Sequence, residues 1–155
     1  PLYTTPSAIE SIKSRFHYLF GAGRYPGSTR VQLHAINNPI QVGPFAITAI
    51  PAKHGELDII GFKINDLCYL TDVKELPDES KSLLKDVQVI ILSALRWEPE
   101  HPTHLSIPDA VDLISGLGIP EAYLIHMNGQ TKHSPSNKRL PDHVKLAYDH
   151  QTIYL

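Results

Sequence analysis

At 155 residues the chain is the size of one domain, able to bury roughly 70% of the surface its unfolded form exposes. A net charge of −2 and a pI near 6.5 provide no field to gather a polyanion, and no apolar run approaches the ~20 residues a bilayer span needs. Broad nucleic-acid binding and membrane insertion are therefore not expected, whereas a small charged substrate is compatible with these numbers. The single cysteine, Cys68, excludes an intramolecular disulfide framework and fits a reducing, cytoplasmic compartment.

In chain order, Thr5-Pro6-Ser7 followed by Ala8-Ile9-Glu10 predicts a helix start, with Ser7 and Glu10 as a capping box. Ile9, Ile12, Phe16 and Leu19 share one face of a helix of about 13 residues, which "GAGRYPGS" ends. Gly21 and Gly23 in that break follow no strand, so a phosphate loop is not expected. Short extended segments come next, "VQLHAI", "FAITAIP", "IIGFKI" and "LCYL", separated by Asn, Pro, Gly and Asp turn signals.

From Asp78 the rhythm becomes helix, strand, helix, strand: "DESKSLLKD", "VQVIILSA", "IPDAVDLISGLG" and "EAYLIHM". Such alternation predicts an α/β (α+β) layering of helices against a sheet. "HSPSNKRLP" is expected as a loop because of its prolines, and "VKLAYDHQTIYL" as a terminal hairpin. The whole of 1–155 is expected as a single domain.

Four polar residues fall where strands give way to loops: His54 after "FAITAIPAK", Asp72 after "CYLT", His104 after "VQVIILSA", and His126 at the end of "AYLIH". Sites in open α/β sheets collect at such ends, and two imidazoles with one carboxylate suit a borderline divalent metal. Singly, each has a bland alternative. A histidine in a loop is commonly a hydrogen-bonding residue, Asp72 suits a turn or cap, and His104 simply precedes a helix start with Ser106 as N-cap and Asp109 as its third-position acid. The shared placement is what favours function for the set. Cys68, inside an apolar strand, is expected as a buried small hydrophobe, and Trp97 as a loop brace. Lys132, Lys138 and Arg139 are expected as a solvated basic loop.

The order of these motifs is similar to a known family. "IPAKHGELDIIGFKINDLCYLTDVKELPDES", "VIILSALRWEPEHPTHLSIPDAVDLI", "AYLIHM" and "LPDHVKLAYD", with "FHYLFG" opening the segment, resemble the C-terminal half of metallo-β-lactamase-fold hydrolases. The branch they resemble is that of the cyclic phosphoribosyl phosphate phosphodiesterase of the carbon–phosphorus lyase pathway. The resemblance implies half of a four-layer αββα sandwich, a mixed sheet with flanking helices, and two divalent metal ions, zinc or manganese, at the sheet edge.

Carried over by position, the resemblance makes His54 a ligand of one metal, Asp72 the carboxylate bridging both, His126 a ligand of the other, and His104 the donor of a proton to the leaving oxygen. The substrate it implies is a small phosphodiester, cyclic in the branch resembled, and the assembly it suggests is a homodimer. The chemistry is coherent, since paired cations stabilise phosphoryl oxygens and an imidazole with a pKa near 6.5 can protonate an alkoxide.

The sequence departs from the family pattern in three places. His-x-His-x-Asp-His, the principal metal motif of the N-terminal half, occurs nowhere in the chain. With a first residue of Pro1 and no initiator Met, this leads us to expect the C-terminal part of a longer protein, or a chain whose partner carries the missing half. "HMNGQTKH" replaces the more usual His-Met-Ser-His, which leaves the role of His133 open, and "YDH" replaces "YDG" at His150. The rival expectation is a non-catalytic fold relative or interaction module without the metal site. Metal-independent acyl transfer is a distant third, because no Gly-x-Ser-x-Gly elbow is present.

Overall fold

The structure, a computed structural model, describes residues 1–21, 24–36 and 39–155. It forms two compact units, Pro1–Ile40 and Gln41–Leu155.

In the first unit, β1 (Leu2–Thr4) pairs in parallel with β2 (Leu33–Ala35), and α1 spans Pro6–Arg15. The helix starts earlier than the capping box at Ser7 predicts. Thr5 is the N-cap, its hydroxyl accepting from the Ala8 amide at 3.2 Å, because Pro6 is preorganised for a first helical position that needs no N–H. Glu10 instead accepts from Lys13 Nζ. The helix also ends sooner than expected: bonds from the Leu19 amide to the Phe16 carbonyl and from Phe20 to His17 tighten the chain into a 3₁₀ turn over His17–Leu19. Gly21 follows this turn and no strand, and Gly23 lies outside the described residues.

The second unit is built on a sheet. Among the described residues seven strands run in the order β3 (Ile40–Val42, at the boundary), β4 (Phe45–His54), β5 (Leu57–Ile64), β6 (Leu67–Leu70), β7 (Val89–Ser93), β8 (Glu121–Ile125) and β9 (Val144–Leu146). β5 is antiparallel to both β4 and β6, and β6 through β9 are parallel, so the sheet is mixed. The helices α2 (Asp78–Ser82), α3 (Ile107–Leu117) and α4 (His133–Asn137) lie in the connections between the parallel strands, as crossovers require.

Register explains the core. Two cross-strand rows, Cys68–Ile90–Ala122–Val144 and Leu70–Leu92–Leu124–Leu146, are buried in one cluster with Ile107, Ala110 and Ile114 of α3. Those three α3 residues recur at helical spacing, and the helix is held by the reciprocal Ser106–Asp109 capping box expected from the sequence and by a left-handed Gly118 at its C-cap. The alternate row, Phe62–Tyr69–Ile91–Tyr123, lies on the other face of the sheet and is less completely covered, with Tyr69 40% exposed. One face is thus finished by helices while the other presents an apolar row, the pattern of one leaf of a sandwich.

Two expectations about the C-terminal region are corrected. "HSPSNKRLP" contains a helical turn, α4, because Pro135 sits in its first turn where no amide donor is required. "VKLAYDHQTIYL" is not a hairpin: β9 pairs in parallel with β8, and the described tail beyond it has no strand. The free edge of β9 is occupied by side chains of α4. Asn137 Oδ1 accepts from the Leu146 amide at 2.8 Å, and His133 Nε2 donates to the Leu146 carbonyl at 3.1 Å, leaving no edge for a further strand.

Candidate active site

Because β5 is antiparallel to its two neighbours, β4 runs in the same direction as β6, β7 and β8, and the C-terminal ends of these four strands share one edge. His54 is the last residue of β4, Asp72 lies two residues beyond β6, and His126 directly follows β8. His104 is carried by the segment joining β7 to α3.

Asp72 and His126 both adopt left-handed backbone, with φ of 57° and 68°. Few residues with a side chain adopt this conformation, Asn, Asp and His more readily than the rest, and at these two positions surrounding bonds hold the backbone in it. Those bonds are present. The Val73 amide donates to the buried Ser93 hydroxyl at 3.1 Å, and the Leu105 amide donates to the Val73 carbonyl at 2.9 Å. The Lys74 amide reaches the Lys53 carbonyl at 2.7 Å, tying the Asp72 loop to β4. Past β8, the Asn128 amide donates to the Leu95 carbonyl at 2.9 Å and fixes the turn that carries His126.

The structure brings Asp72, His104 and His126 together, with one potential ligand atom from each lying within 4.8 Å of the others. Asp72 Oδ1 is 3.5 Å from His126 Nε2 and 3.9 Å from His104 Nδ1. His54 is not in this trio. It stands one imidazole further along, its ring centroid 4.6 Å from that of His104, while the His126 ring centroid lies 4.8 Å from the same ring. His104 is mostly buried, and its Nδ1 has no hydrogen-bond partner. Burial holds the His104 imidazole below its usual pKa; the neighbouring His126, His54 and His101 add to the depression, and the Asp72 carboxylate opposes it.

These residues fit a divalent cation on their own chemistry. A buried ring nitrogen without a partner, beside a half-exposed carboxylate and a second imidazole, forms a donor set that a cation would satisfy. His54 fits as well. Its Nδ1 is 2.8 Å from the Thr103 carbonyl, which can only accept, so Nδ1 carries the proton and Nε2 keeps a lone pair for a metal.

Residues that the sequence did not single out complete the site. Ser93, a hydroxyl in the otherwise apolar "VIILS", was the available signal for the anchor of the Asp72 loop. Thr103 and His101, in "HPTH", pack with the candidate residues, and Gly55 makes room for them: a Cβ built on it would lie 2.9 Å from Thr103 Cγ2. Outside the cluster, Trp97 braces its loop as expected, donating to Ser136 Oγ at 3.0 Å beneath the Arg139 guanidinium, 3.6 Å from the ring centroid. Arg139 is therefore engaged with Trp97, and His133 with β9. Cys68 is fully buried, and its thiol is pushed up to about 12 by desolvation, as an inert core residue requires. A cavity of about 230 Å³ adjoins the cluster, lined by His126, Met127, Tyr148 and Asp149 among others.

Comparison with known proteins agrees with this fold. Residues 1–127 match the model of the beta-lactamase superfamily domain. The chain is 33% identical over 154 residues to a protein named octanoyltransferase from Porphyromonas gingivalis (strain ATCC BAA-308 / W83), covering 96% of this chain and 31% of that one. It superposes with a TM-score of 0.82 and 29% identity on a crystal structure described as a new diphosphatase from the PhnP family, covering 96% of this chain and 55% of the other. Zn²⁺-bound PqqB from Methylobacterium extorquens shares the fold at 13% identity and a TM-score of 0.70, with 99% of this chain and 64% of that one covered. The chain thus spans about a third of the curated relative and about half of the diphosphatase. Its mixed sheet and flanking helices are those of the metallo-β-lactamase fold, and the chain belongs to the beta-lactamase superfamily domain family.

Proposed function

We propose that this chain is the C-terminal half of a metal-dependent hydrolase that cleaves a small phosphodiester. The observation that carries the reading is the convergence of the Asp72, His104 and His126 ligand atoms within 4.8 Å at the sheet edge, with His54 beside them. The diphosphatase description of a structure 29% identical to this chain supports phosphoryl chemistry at that edge. The octanoyltransferase name belongs to a protein two-thirds of which lies outside the match, and no acyl-transfer role is proposed for this segment.

His54 through Nε2, Asp72 and His126 would hold divalent cations, zinc or manganese, together with a His-x-His-x-Asp-His segment contributed by the N-terminal half of the fold. Bound there, such ions supply Lewis acidity and a nucleophile at neutral pH. The work of this chain's own residues is then positional and acid–base. The left-handed turns at Asp72 and His126 aim both side chains across the edge. Thr103 holds His54 in the tautomer whose Nε2 can bind. His104, with its pKa lowered by burial, donates a proton to the departing oxygen readily once it carries one. The apolar row Phe62–Tyr69–Ile91–Tyr123 suits the second sheet of a sandwich, the leaf that the missing half would provide.

Metal content and bis(p-nitrophenyl) phosphate hydrolysis, measured on the full-length protein and its Asp72→Ala variant, test this reading. Loss of the carboxylate is expected to lower activity by more than the roughly 10- to 100-fold that an outer-shell partner of a ligand is worth; unchanged activity and metal content would sink the assignment. A second reading, in which His104 is a fourth ligand from this chain, is favoured by the proximity of its Nδ1 to Asp72. The two readings separate cleanly. His104→Ala lowers metal content if the ring is a ligand, and if it is the acid it slows alkyl diesters far more than p-nitrophenyl ones, whose leaving group needs no proton. A non-catalytic relative, motivated by the absent His-x-His-x-Asp-His, predicts no metal and no hydrolysis even in the full-length protein.

A further inference from the structure

His101 has no role in the reading above, yet its ring lies beside the cluster, its centroid 4.9 Å from that of His104. Its tautomer can be assigned from its partners. The Thr103 backbone N–H points at His101 Nδ1 at 3.3 Å, and an amide N–H can only donate, so Nδ1 is the acceptor. The Thr103 hydroxyl lies 3.2 Å from the same nitrogen. In the neutral ring the proton must then sit on Nε2, and no described residue accepts it.

One residue thereby sets two histidines in opposite states. The Thr103 carbonyl takes the Nδ1 proton of His54 and leaves a lone pair on that ring's Nε2, while the Thr103 amide fills Nδ1 of His101 and leaves an N–H on that ring's Nε2. A lone pair suits a cation, and an N–H suits an anionic oxygen. A site that holds cations and a phosphodiester needs both kinds of group, and a neutral donor stabilises an anion without competing for the metal.

We infer that His101 is an oxyanion-binding residue, its Nε2–H donating to a phosphoryl oxygen of the substrate while Thr103 holds it in the donor tautomer. The inference rests on the proposed phosphodiester chemistry for its ligand class, but its geometry is independent of which ester is cleaved. His101 is not required to change its charge in this role.

The test uses the full-length protein, with inorganic phosphate as the binding probe and bis(p-nitrophenyl) phosphate as substrate. Long-range ¹H–¹⁵N imidazole spectra are expected to show His101 protonated at Nε2 and that resonance moving on phosphate titration. His101→Asn keeps an acceptor near the Nδ1 position for Thr103 and removes the Nε2 donor. It is expected to weaken phosphate binding by roughly ten- to a hundredfold, the usual value of a hydrogen bond to a charged group, with thermal stability and metal content unchanged. His101→Gln, which places an amide N–H near the Nε2 position, is expected to recover most of that loss. Phosphate affinity and KM equal to wild type in His101→Asn, or a ring protonated at Nδ1, would overturn the inference and leave the hydrolase reading intact. Weakened phosphate binding in His101→Asn with no diester hydrolysed by any form would do the reverse, retaining the oxyanion site and removing the hydrolase.

Discussion

Gly55 joins β4 to β5 directly after His54, and Gly55→Ala probes how tightly the site is packed. Two penalties are expected. Gly55 has a φ of 61°, where an alanine Cβ crowds its own backbone at a cost of about 1–2 kcal/mol. The new Cβ also lies 2.9 Å from Thr103 Cγ2, closer than real Cβ contacts come, and forcing one methyl-sized group into a packed position costs about 1 kcal/mol or more. Gly55→Ala should therefore lose about 2–3 kcal/mol. The second penalty has a specific remedy: Thr103→Ser deletes Cγ2 while keeping the hydroxyl and both backbone bonds to His101 and His54. In a double-mutant cycle read by urea denaturation, the paired variant should recover about 1 kcal/mol relative to the sum of the singles, with the slope unchanged. The φ penalty should stay. Strict additivity would refute the placement of Thr103 against the His54 turn, and with it the tautomers assigned to His54 and His101.

Four further outcomes are expected. Ser93→Ala strands the buried Val73 amide and should cost about 1–3 kcal/mol by urea denaturation, with a parallel loss of metal affinity because Asp72 is the adjacent residue. Gly61→Ala should destabilise by about 1–3 kcal/mol by the same measurement, since its Cβ would meet Leu70 Cδ2 and sit 2.7 Å from the Tyr69 carbonyl oxygen across β5 and β6. Cys68 should resist Ellman's reagent at pH 8 until denaturant is added, because its thiol is fully buried and pushed up to about 12. In metal-free protein the depressed His104 pKa means that the unfolded chain takes up a proton that the folded one refuses. Stability should therefore fall as pH drops through about 6.5 toward the folded value, and His104→Gln should flatten that part of the urea-midpoint profile from pH 8 to 5.

Much of the architecture was legible because each signal was local. The strands "FAITAIP", "IIGFKI", "LCYL" and "VQVIILSA" carry β-branched and apolar runs between turn residues, and α3 announces itself by Ser106, Asp109 and the spacing of Ile107, Ala110 and Ile114. His54, Asp72, His104 and His126 could be ranked as candidates because each follows a strand, and a strand end is visible in the pattern. The misreadings came where a long-range partner decides. Proline was read as a loop marker at Pro135, although a first helical turn accepts it, and the tail was read as a hairpin because nothing local says that Asn137 and His133 occupy the edge of β9.

The sequence by itself therefore determined the order and type of most elements and the four polar residues near the strand ends, since periodicity and turn chemistry act over a few residues, whereas the core rows follow from strand register. Tertiary structure alone decided which of those residues meet. The direction of β4 relative to β6, β7 and β8 brings the four ends to one edge, and the bonds of Val73 to Ser93 and Leu105 hold Asp72 in a left-handed turn. A single residue, Thr103, sets the proton positions of His54 and His101 through its amide on one side and its carbonyl on the other. Those contacts join residues 20 to 49 positions apart, or depend on which ring nitrogen faces which backbone group, and no spacing along the chain encodes either.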